Sequence, residues 1–205
     1  MSNKISFIGL GKLGLPLACV LASADNKVLC LDKNEHILNL LSNDILPFYE
    51  PDLDKLMSEV KHNIVGYTDS YRKAIETTSA AIILVNTQLG DDGYSSDFVE
   101  AAVSDIAINL KLLNKDYFTI ILSYVPDFVK LGCVIKDFQN PEFFLIGANS
   151  DRDYNITKSI FKGIHSNGCS QHRMTLEEAE VAKVALNAYI VNKITFANFL
   201  GRLCE

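Results

Sequence analysis

Ile5-Ser6-Phe7-Ile8-Gly9-Leu10-Gly11-Lys12-Leu13-Gly14-Leu15-Pro16-Leu17-Ala18 is the stretch that decides the fold of this 205-residue chain. It reads as a short apolar strand, Ile5 to Ile8, then a turn with three glycines, then a helix from Lys12 to Ala24. G-x-G-x-x-G is a weak signal alone and a far stronger one between a strand and a helix. Gly9 permits the tight turn, Gly11 lets the backbone approach a ligand with no Cβ in the way, and Gly14 lets the helix lie close on the strand. The helix start offers unpaired N–H groups and the positive end of its dipole, which together suit a pyrophosphate. The backbone of Gly9, Gly11, Lys12, Leu13 and Gly14 is therefore the expected phosphate cradle of a dinucleotide.

The second strand, Lys27 to Leu31, leads into Asp32, about 20 residues beyond the central glycine, where a carboxylate accepts from an adenosine ribose hydroxyl. A carboxylate there repels a 2′-phosphate, so the expected cofactor is NAD in preference to NADP. Lys33 follows and is able to moderate that repulsion, so it is counted with the cofactor site. The alternative is that the glycines only make a turn and Asp32 only caps the next helix.

Outward from this unit, apolar runs of strand length alternate with amphipathic runs of helix length. Further strands are expected at Ile64 to Tyr67, Ala81 to Val85, Phe118 to Leu122 and Phe143 to Ile146. Helices are expected at Glu35 to Leu41, Leu53 to Val60, Tyr71 to Glu76, Phe98 to Leu112, Asp127 to Asp137 and Tyr154 to Phe161. The fold class is α/β, a Rossmann-type doubly wound, mainly parallel sheet followed by one long C-terminal helix, Leu176 to Leu203. That helix is apolar nearly all round, so it must be buried against something larger than this sheet. The polar stretch Ser166 to Arg173 marks the expected boundary, with a cofactor domain over 1–165 and a central, dimer-forming helix over 174–205.

Composition narrows the partners. A net charge of −6 and a pI near 5.2, with no Lys/Arg block, leave no footprint for nucleic acid or an anionic membrane. The five cysteines (Cys19, Cys30, Cys133, Cys169, Cys204) and four histidines (His36, His62, His165, His172) lack disulfide or metal-ligand spacing, so no metal is expected. Most cysteines read as small buried hydrophobes. No apolar run approaches the ~20 residues of a membrane span, and no cleavable leader precedes the first strand, which gives a cytoplasmic expectation.

Beyond the glycine turn, the chain resembles the UDP-glucose/GDP-mannose dehydrogenase family, the NAD-dependent nucleotide-sugar 6-dehydrogenases. Pro47-Phe48-Tyr49-Glu50-Pro51-Asp52-Leu53-Asp54-Lys55-Leu56 is similar to the family's F-x-E-P-G-L-x-x-L, with Asp52 in place of the glycine. Leu84-Val85-Asn86-Thr87-Gln88 is similar to its V-x-T-P strand end, where the cofactor lies; the resemblance thus adds Asn86 and Thr87 to the cofactor site. Ser123-Tyr124-Val125-Pro126 stands where the family has S-T-V-P, which adds Ser123. The strongest match is Glu178-Ala179-Glu180-Val181-Ala182-Lys183-Val184-Ala185-Leu186-Asn187-Ala188, continued by Lys193-Ile194-Thr195-Phe196-Ala197-Asn198 and Leu203-Cys204-Glu205. It implies that Lys183 and Asn187, one helical turn apart on a single face, meet the substrate. A lysine there stabilises an oxyanion at the sugar C6, and an amide holds the same oxygen or a water. Without the resemblance, the pair reads as a snorkelling lysine and a surface asparagine. Asn140-Pro141-Glu142-Phe143 is similar to N-P-E-F-L, whose glutamate serves the water and proton chemistry, so Glu142 joins the catalytic set.

The departures are as informative. Tyr124 replaces the family threonine between cofactor and substrate. Phe143-Phe144-Leu145-Ile146-Gly147 follows Glu142 at once, which reads as a later strand joined directly to the motif, the intervening substrate loop deleted. The family's G-G-S-C-F-P-K-D cysteine element, which carries the thiohemiacetal and thioester, does not occur in these residues, and Cys204 reads as core. The chain is expected to be either the N-terminal part of a longer protein or a reduced member, and to be inactive alone. Three readings stand: the cofactor half of a dehydrogenase oxidising a nucleotide sugar at C6 for surface polysaccharide; a non-catalytic NAD-binding homodimer; and a β-hydroxyacid-type dehydrogenase, which the Glu50-Pro51 element and the L-C-E ending disfavour.

Overall fold

The computed structural model describes residues 3–87, 89–90, 93–113, 123–125, 128–165 and 168–204. In chain order the elements begin β1 (Lys4–Ile8), α1 (Gly14–Ser23), β2 (Lys27–Leu31), α2 (Glu35–Ser42), α3 (Leu53–Val60), β3 (Ile64–Thr68), α4 (Tyr71–Thr77) and β4 (Ala80–Ile83). There follow β5 (Leu89–Gly90), β6 (Gly93–Tyr94), α5 (Asp97–Leu113), β7 (Ser123–Tyr124), α6 (Val134–Gln139), β8 (Phe143–Ala148), α7 (Asp151–Ile160), β9 (Ser170–Met174) and α8 (Leu176–Cys204). They divide into two units, one of Met1–Ile120, Val129–Asn140 and Ile160–Asn167, the other of Ile121–Phe128, Pro141–Ser159 and Gly168–Glu205.

The first unit holds a four-stranded parallel sheet in the order β3-β2-β1-β4. Because side chains alternate along each strand, Ile8, Leu29 and Leu31 meet Tyr71, Ala74 and Ile75 of α4 and Ala102 and Ile106 of α5 on one face. Ser6 on that face bonds the Ala74 carbonyl and the Thr78 hydroxyl, so its buried polar group is satisfied. Ile5, Phe7, Val28 and Cys30 alternate with those residues and are fully buried. Helix α1 packs with α3 and α6. It is buried from Gly14 to Ala22, as a helix apolar on every side must be. Burial pushes the Cys19 thiol up to about 12 and raises that of Cys30 further, so both act as small hydrophobes, not nucleophiles.

Several helix ends carry their own signals. Asn34 caps α2 by accepting from the His36 and Ile37 N–H groups, and Ser70 caps α4 from Lys73. Asp52, before α3, takes the left-handed conformation (φ 64°, ψ 0°) while the Leu53 N–H donates to the Glu50 carbonyl, which is the signature of a type II turn with Pro51 leading. The family glycine therefore stands at a position whose backbone favours glycine.

The second unit is a three-stranded sheet, β7-β8-β9, with β7 antiparallel and β9 parallel to β8. The long helix α8 packs on it near its start: Ala179 is fully buried, and a Cβ on Gly147 would stand 2.8 Å from the Ala179 Cβ. Thr175 and Glu178 open α8 as a capping box, each side chain accepting from the other's backbone N–H.

Three expectations need correction. No strand is expected in the polar stretch Ser166 to Arg173, yet β9 spans Ser170–Met174; its side chains are mostly exposed, so no apolar alternation marks it. The helix expected over Asp127 to Asp137 begins only at Val134, because Gly132 turns through a left-handed φ of 87° ahead of it. Cys204, expected in the core, is exposed, as is Cys133. The strand expected over Phe118 to Leu122 lies outside the described residues. Among the described residues no group of His, Cys, Asp and Glu is arranged to hold a metal, and no helix is long and apolar enough to cross a membrane.

Candidate functional site

Parallel strands bring their carboxyl ends to one edge, and in the first unit that edge carries the whole glycine turn, Asp32, and the run Leu84 to Thr87 after β4. Strands β1 and β4 are neighbours here, and helices leave them toward opposite faces, which is where open α/β sheets bind their ligands. The Gly9 N–H donates to the Leu31 carbonyl at 2.9 Å and the Leu84 N–H to the Ile8 carbonyl at 2.8 Å, so the turn is tied to both flanking strands.

The three glycines differ in what surrounds them. A Cβ on Gly9, whose φ is 99°, would lie 2.1 Å from the Leu84 carbonyl oxygen, and one on Gly14 would lie 2.0 Å from the Gly9 carbonyl oxygen. Those two are glycines for reasons internal to the fold. A Cβ on Gly11 would meet nothing within 4 Å. Packing gives no reason for glycine there; a ligand lying against that backbone does. Gly11 and Lys12 are exposed and Leu13 half-buried, and α1 begins with no side-chain cap. The Leu15 N–H already donates to the Gly11 carbonyl and Pro16 has no N–H, so an anion here is met by the backbone of the turn ahead of the helix.

Asp32 is half-buried and fixed by the turn it faces. Its Oδ2 accepts from the Leu10 N–H at 2.6 Å and its Oδ1 from the Asn34 N–H at 2.8 Å. Each carboxylate oxygen has a second lone pair, so the group retains capacity to accept from a ribose hydroxyl. The residues therefore fit a dinucleotide. Asn86 and Thr87 are exposed just beyond β4 on the same sheet edge, while Gln88 lies outside the described residues.

Lys33 points to groups that the linear sequence does not signal. Its ammonium pairs with Asp105 on α5 at 3.0 Å and lies 5.6 Å from the centre of the Tyr71 ring. The hydrogen bond that Lys33 donates to Asp105 raises the Lys33 pKa, and burial pushes the Tyr71 phenol up. Glu50 is a second such case. Its carboxylate is buried and accepts from the Gly132 N–H at 3.0 Å and the Val134 N–H at 2.9 Å, closing the start of α6. The Glu50-Pro51 element thus has a structural task in this chain.

The second unit carries Ser123 and all three catalytic candidates. Ser123 opens β7 opposite Ala148. Glu142 is exposed immediately before β8. Lys183 is half-buried on α8, its ammonium 5.2 Å from the centre of the Phe128 ring, and that ring stands edge-on to Phe143 at 5.0 Å. Asn187, one turn along, is exposed.

A glycine turn of this form, with the acid at the second strand end, defines a dinucleotide-binding Rossmann domain. The sequence profile of the UDP-glucose/GDP-mannose dehydrogenase family, NAD binding domain, matches residues 3–123, and the chain belongs to that family. Its cofactor is NAD. The UDP-glucose 6-dehydrogenase of Rickettsia bellii is 28% identical over 228 residues, taking in 98% of this chain and 52% of the relative. The UDP-glucose 6-dehydrogenase TuaD of Bacillus subtilis is 28% identical over 229 residues, with 99% and 49% covered. A UDP-glucose dehydrogenase structure from Pyrobaculum islandicum superposes with a TM-score of 0.86 at 23% identity, covering 98% of this chain and 52% of that one, a likeness of fold alone. The chain spans about half the length of the curated relatives it matches. The alignments run to 228 residues while using 98% of a 205-residue chain, so the relatives carry residues inside the matched span that this chain lacks.

Proposed function

We propose that this chain is the cofactor-binding half of a nucleotide-sugar 6-dehydrogenase, acting on a sugar such as UDP-glucose or UDP-N-acetylmannosamine and oxidising its C6 alcohol toward the uronic acid. The observation that carries the reading is Gly11, open to any approaching ligand, set on one sheet edge with the anchored carboxylate of Asp32. NAD supplies the hydride acceptor for such a reaction. The protein's part is to bind and orient: the backbone of Gly9 to Gly14 takes the pyrophosphate, Asp32 the adenosine ribose, and Asn86, Thr87 and Ser123 the nicotinamide end. Lys183 stabilises negative charge at the C6 oxygen, Asn187 shares that oxygen or a water, and Glu142 manages a proton. The Phe128 ring beside Lys183 supports this role by holding a flexible ammonium in place.

The protein acts in the cytoplasm, on a route to surface polysaccharide, as a homodimer through α8. Val184, Val191, Ile194, Phe196, Phe199 and Leu203 on that helix are each more than half exposed, an apolar surface that a C2 partner would cover. Light scattering at micromolar concentration would return a dimer mass; a clean monomer contradicts the dimer.

The second reading, a family member that binds NAD without catalysis, is favoured by Tyr124 in place of threonine and by the shortened segment after Glu142. The test is NADH production from UDP-glucose, UDP-N-acetylmannosamine and GDP-mannose by the polypeptide of the native reading frame. Turnover lost on Lys183→Ala supports the dehydrogenase, and no turnover with any sugar despite tight NADH binding supports the second reading. The 205 residues by themselves are expected to give no steady turnover, since the sugar loop and cysteine element are not among them.

A further inference from the structure

We propose that Asp105 is a specificity-determining residue of the cofactor site, which keeps Lys33 engaged on α5 and so denies a 2′-phosphate the lysine that follows Asp32. The proposal rests on Asp32 being the ribose carboxylate. Lys33 directly follows Asp32, and a lysine so placed is the natural partner for a phosphate on the same ribose. Here its ammonium is taken on two sides, by the Asp105 carboxylate at 3.0 Å and by the Tyr71 ring at 5.6 Å. The partners come from elements far along the chain: Tyr71 opens α4 and is nearly buried, while Asp105 lies on α5 beside the buried Ile106. Both helices pack on the face of the sheet that holds Leu29 and Leu31, so the two partners are fixed in place and only the lysine is flexible. The hydrogen bond to Asp105 raises the Lys33 pKa, which keeps the charge on the lysine while it is committed to that pair.

A dinucleotide bearing a 2′-phosphate therefore meets the Asp32 carboxylate with its nearest counter-charge already neutralised. One bearing a free 2′-hydroxyl meets an acceptor and needs no cation. The side chains of the pair are 64% and 37% exposed, so the hold is modest and competition for the lysine is real.

The experiment is calorimetric titration of NADH and NADPH into the wild type, Asp105→Asn, and the double variant Asp105→Asn/Lys33→Met, at one ionic strength. The Kd ratio of NADPH to NADH is expected to fall about two- to fivefold in Asp105→Asn, on the scale of an exposed ion pair. It is expected to return to the wild-type ratio in the double variant. An unchanged ratio in Asp105→Asn overturns the proposal. So does a fall that persists without Lys33, because general loss of negative charge then explains it. Asp32→Ala is run alongside: unchanged NADH affinity there removes the ribose reading and the proposal together, whereas a failure confined to the Asp105 arm leaves Asp32 in its role.

Discussion

The Oδ2 of Asp32 accepts the backbone N–H of Leu10 at 2.6 Å, which ties the end of β2 to the glycine turn after β1. One carboxylate therefore shapes the cradle and stands ready for the ribose. Asp32→Ala is expected to weaken NADH binding about 10- to 100-fold, the loss of a hydrogen bond to a charged group, and to cost about 1–3 kcal/mol of stability from the N–H of buried Leu10, while the exposed Asn34 N–H turns to water. Calorimetry and thermal melting check the two effects separately. Unchanged affinity would remove Asp32 from the site.

Glu50 is the more demanding case, because its buried carboxylate serves Gly132 and Val134, some 80 residues away. Glu50→Ala is expected to destabilise by about 2–4 kcal/mol, from two orphaned backbone donors and a lost helix cap. Glu50→Gln retains one good acceptor and should cost roughly half as much. Denaturant unfolding measures both, and a loss under 0.5 kcal/mol for the alanine variant, roughly a surface effect, would refute the capping role.

Asp52→Gly should move stability the other way. Asp52 holds φ at 64°, a conformation that costs a residue with a Cβ up to about 1–2 kcal/mol, less for aspartate than for most. The glycine variant is expected to gain about 0.5–1 kcal/mol, or roughly 1–4 °C in Tm. A lowered Tm would mean that the Asp52 side chain contributes more than its backbone costs.

How far the sequence discloses these relationships depends on whether their partners are near or far. The β1, turn and α1 unit is local: apolar Ile5 to Ile8, three glycines and a helix are contiguous, and the structure places them as expected. The same holds for α3, expected and found over Leu53–Val60, which buries Leu53, Leu56, Met57 and Val60. Strand β9 is the opposite case. Ser170 to Arg173 show no apolar alternation because this edge strand exposes both its faces, so its only signal is a backbone pairing with β8 that no residue type announces. The start of α6 was missed because its cap comes from Glu50, and the surroundings of Lys33 because Asp105 is separated from it by 72 positions. The Thr175 and Glu178 capping box, by contrast, is a local signature that a reader of the sequence could have used. Of the site, the glycines and Asp32 were legible; the neighbours that set their electrostatics were not.

The central claim, that the glycine turn exists to receive a dinucleotide, is tested most directly at Gly11. Gly9→Ala and Gly14→Ala force a Cβ to about 2 Å from backbone carbonyl oxygens and are expected to destabilise by several kcal/mol, which confounds any binding result. Gly11→Ala meets nothing within 4 Å, so folding should be spared while a methyl group stands in the path of the pyrophosphate. The decisive measurement is NADH titration calorimetry on Gly11→Ala, with its Tm recorded in the same buffer. The variant is expected to keep a Tm within about 2 °C of the wild type and to raise Kd at least tenfold, a loss of about 1.4 kcal/mol or more in binding. A Gly11→Ala protein that melts like the wild type and binds NADH with unchanged affinity would contradict the claim.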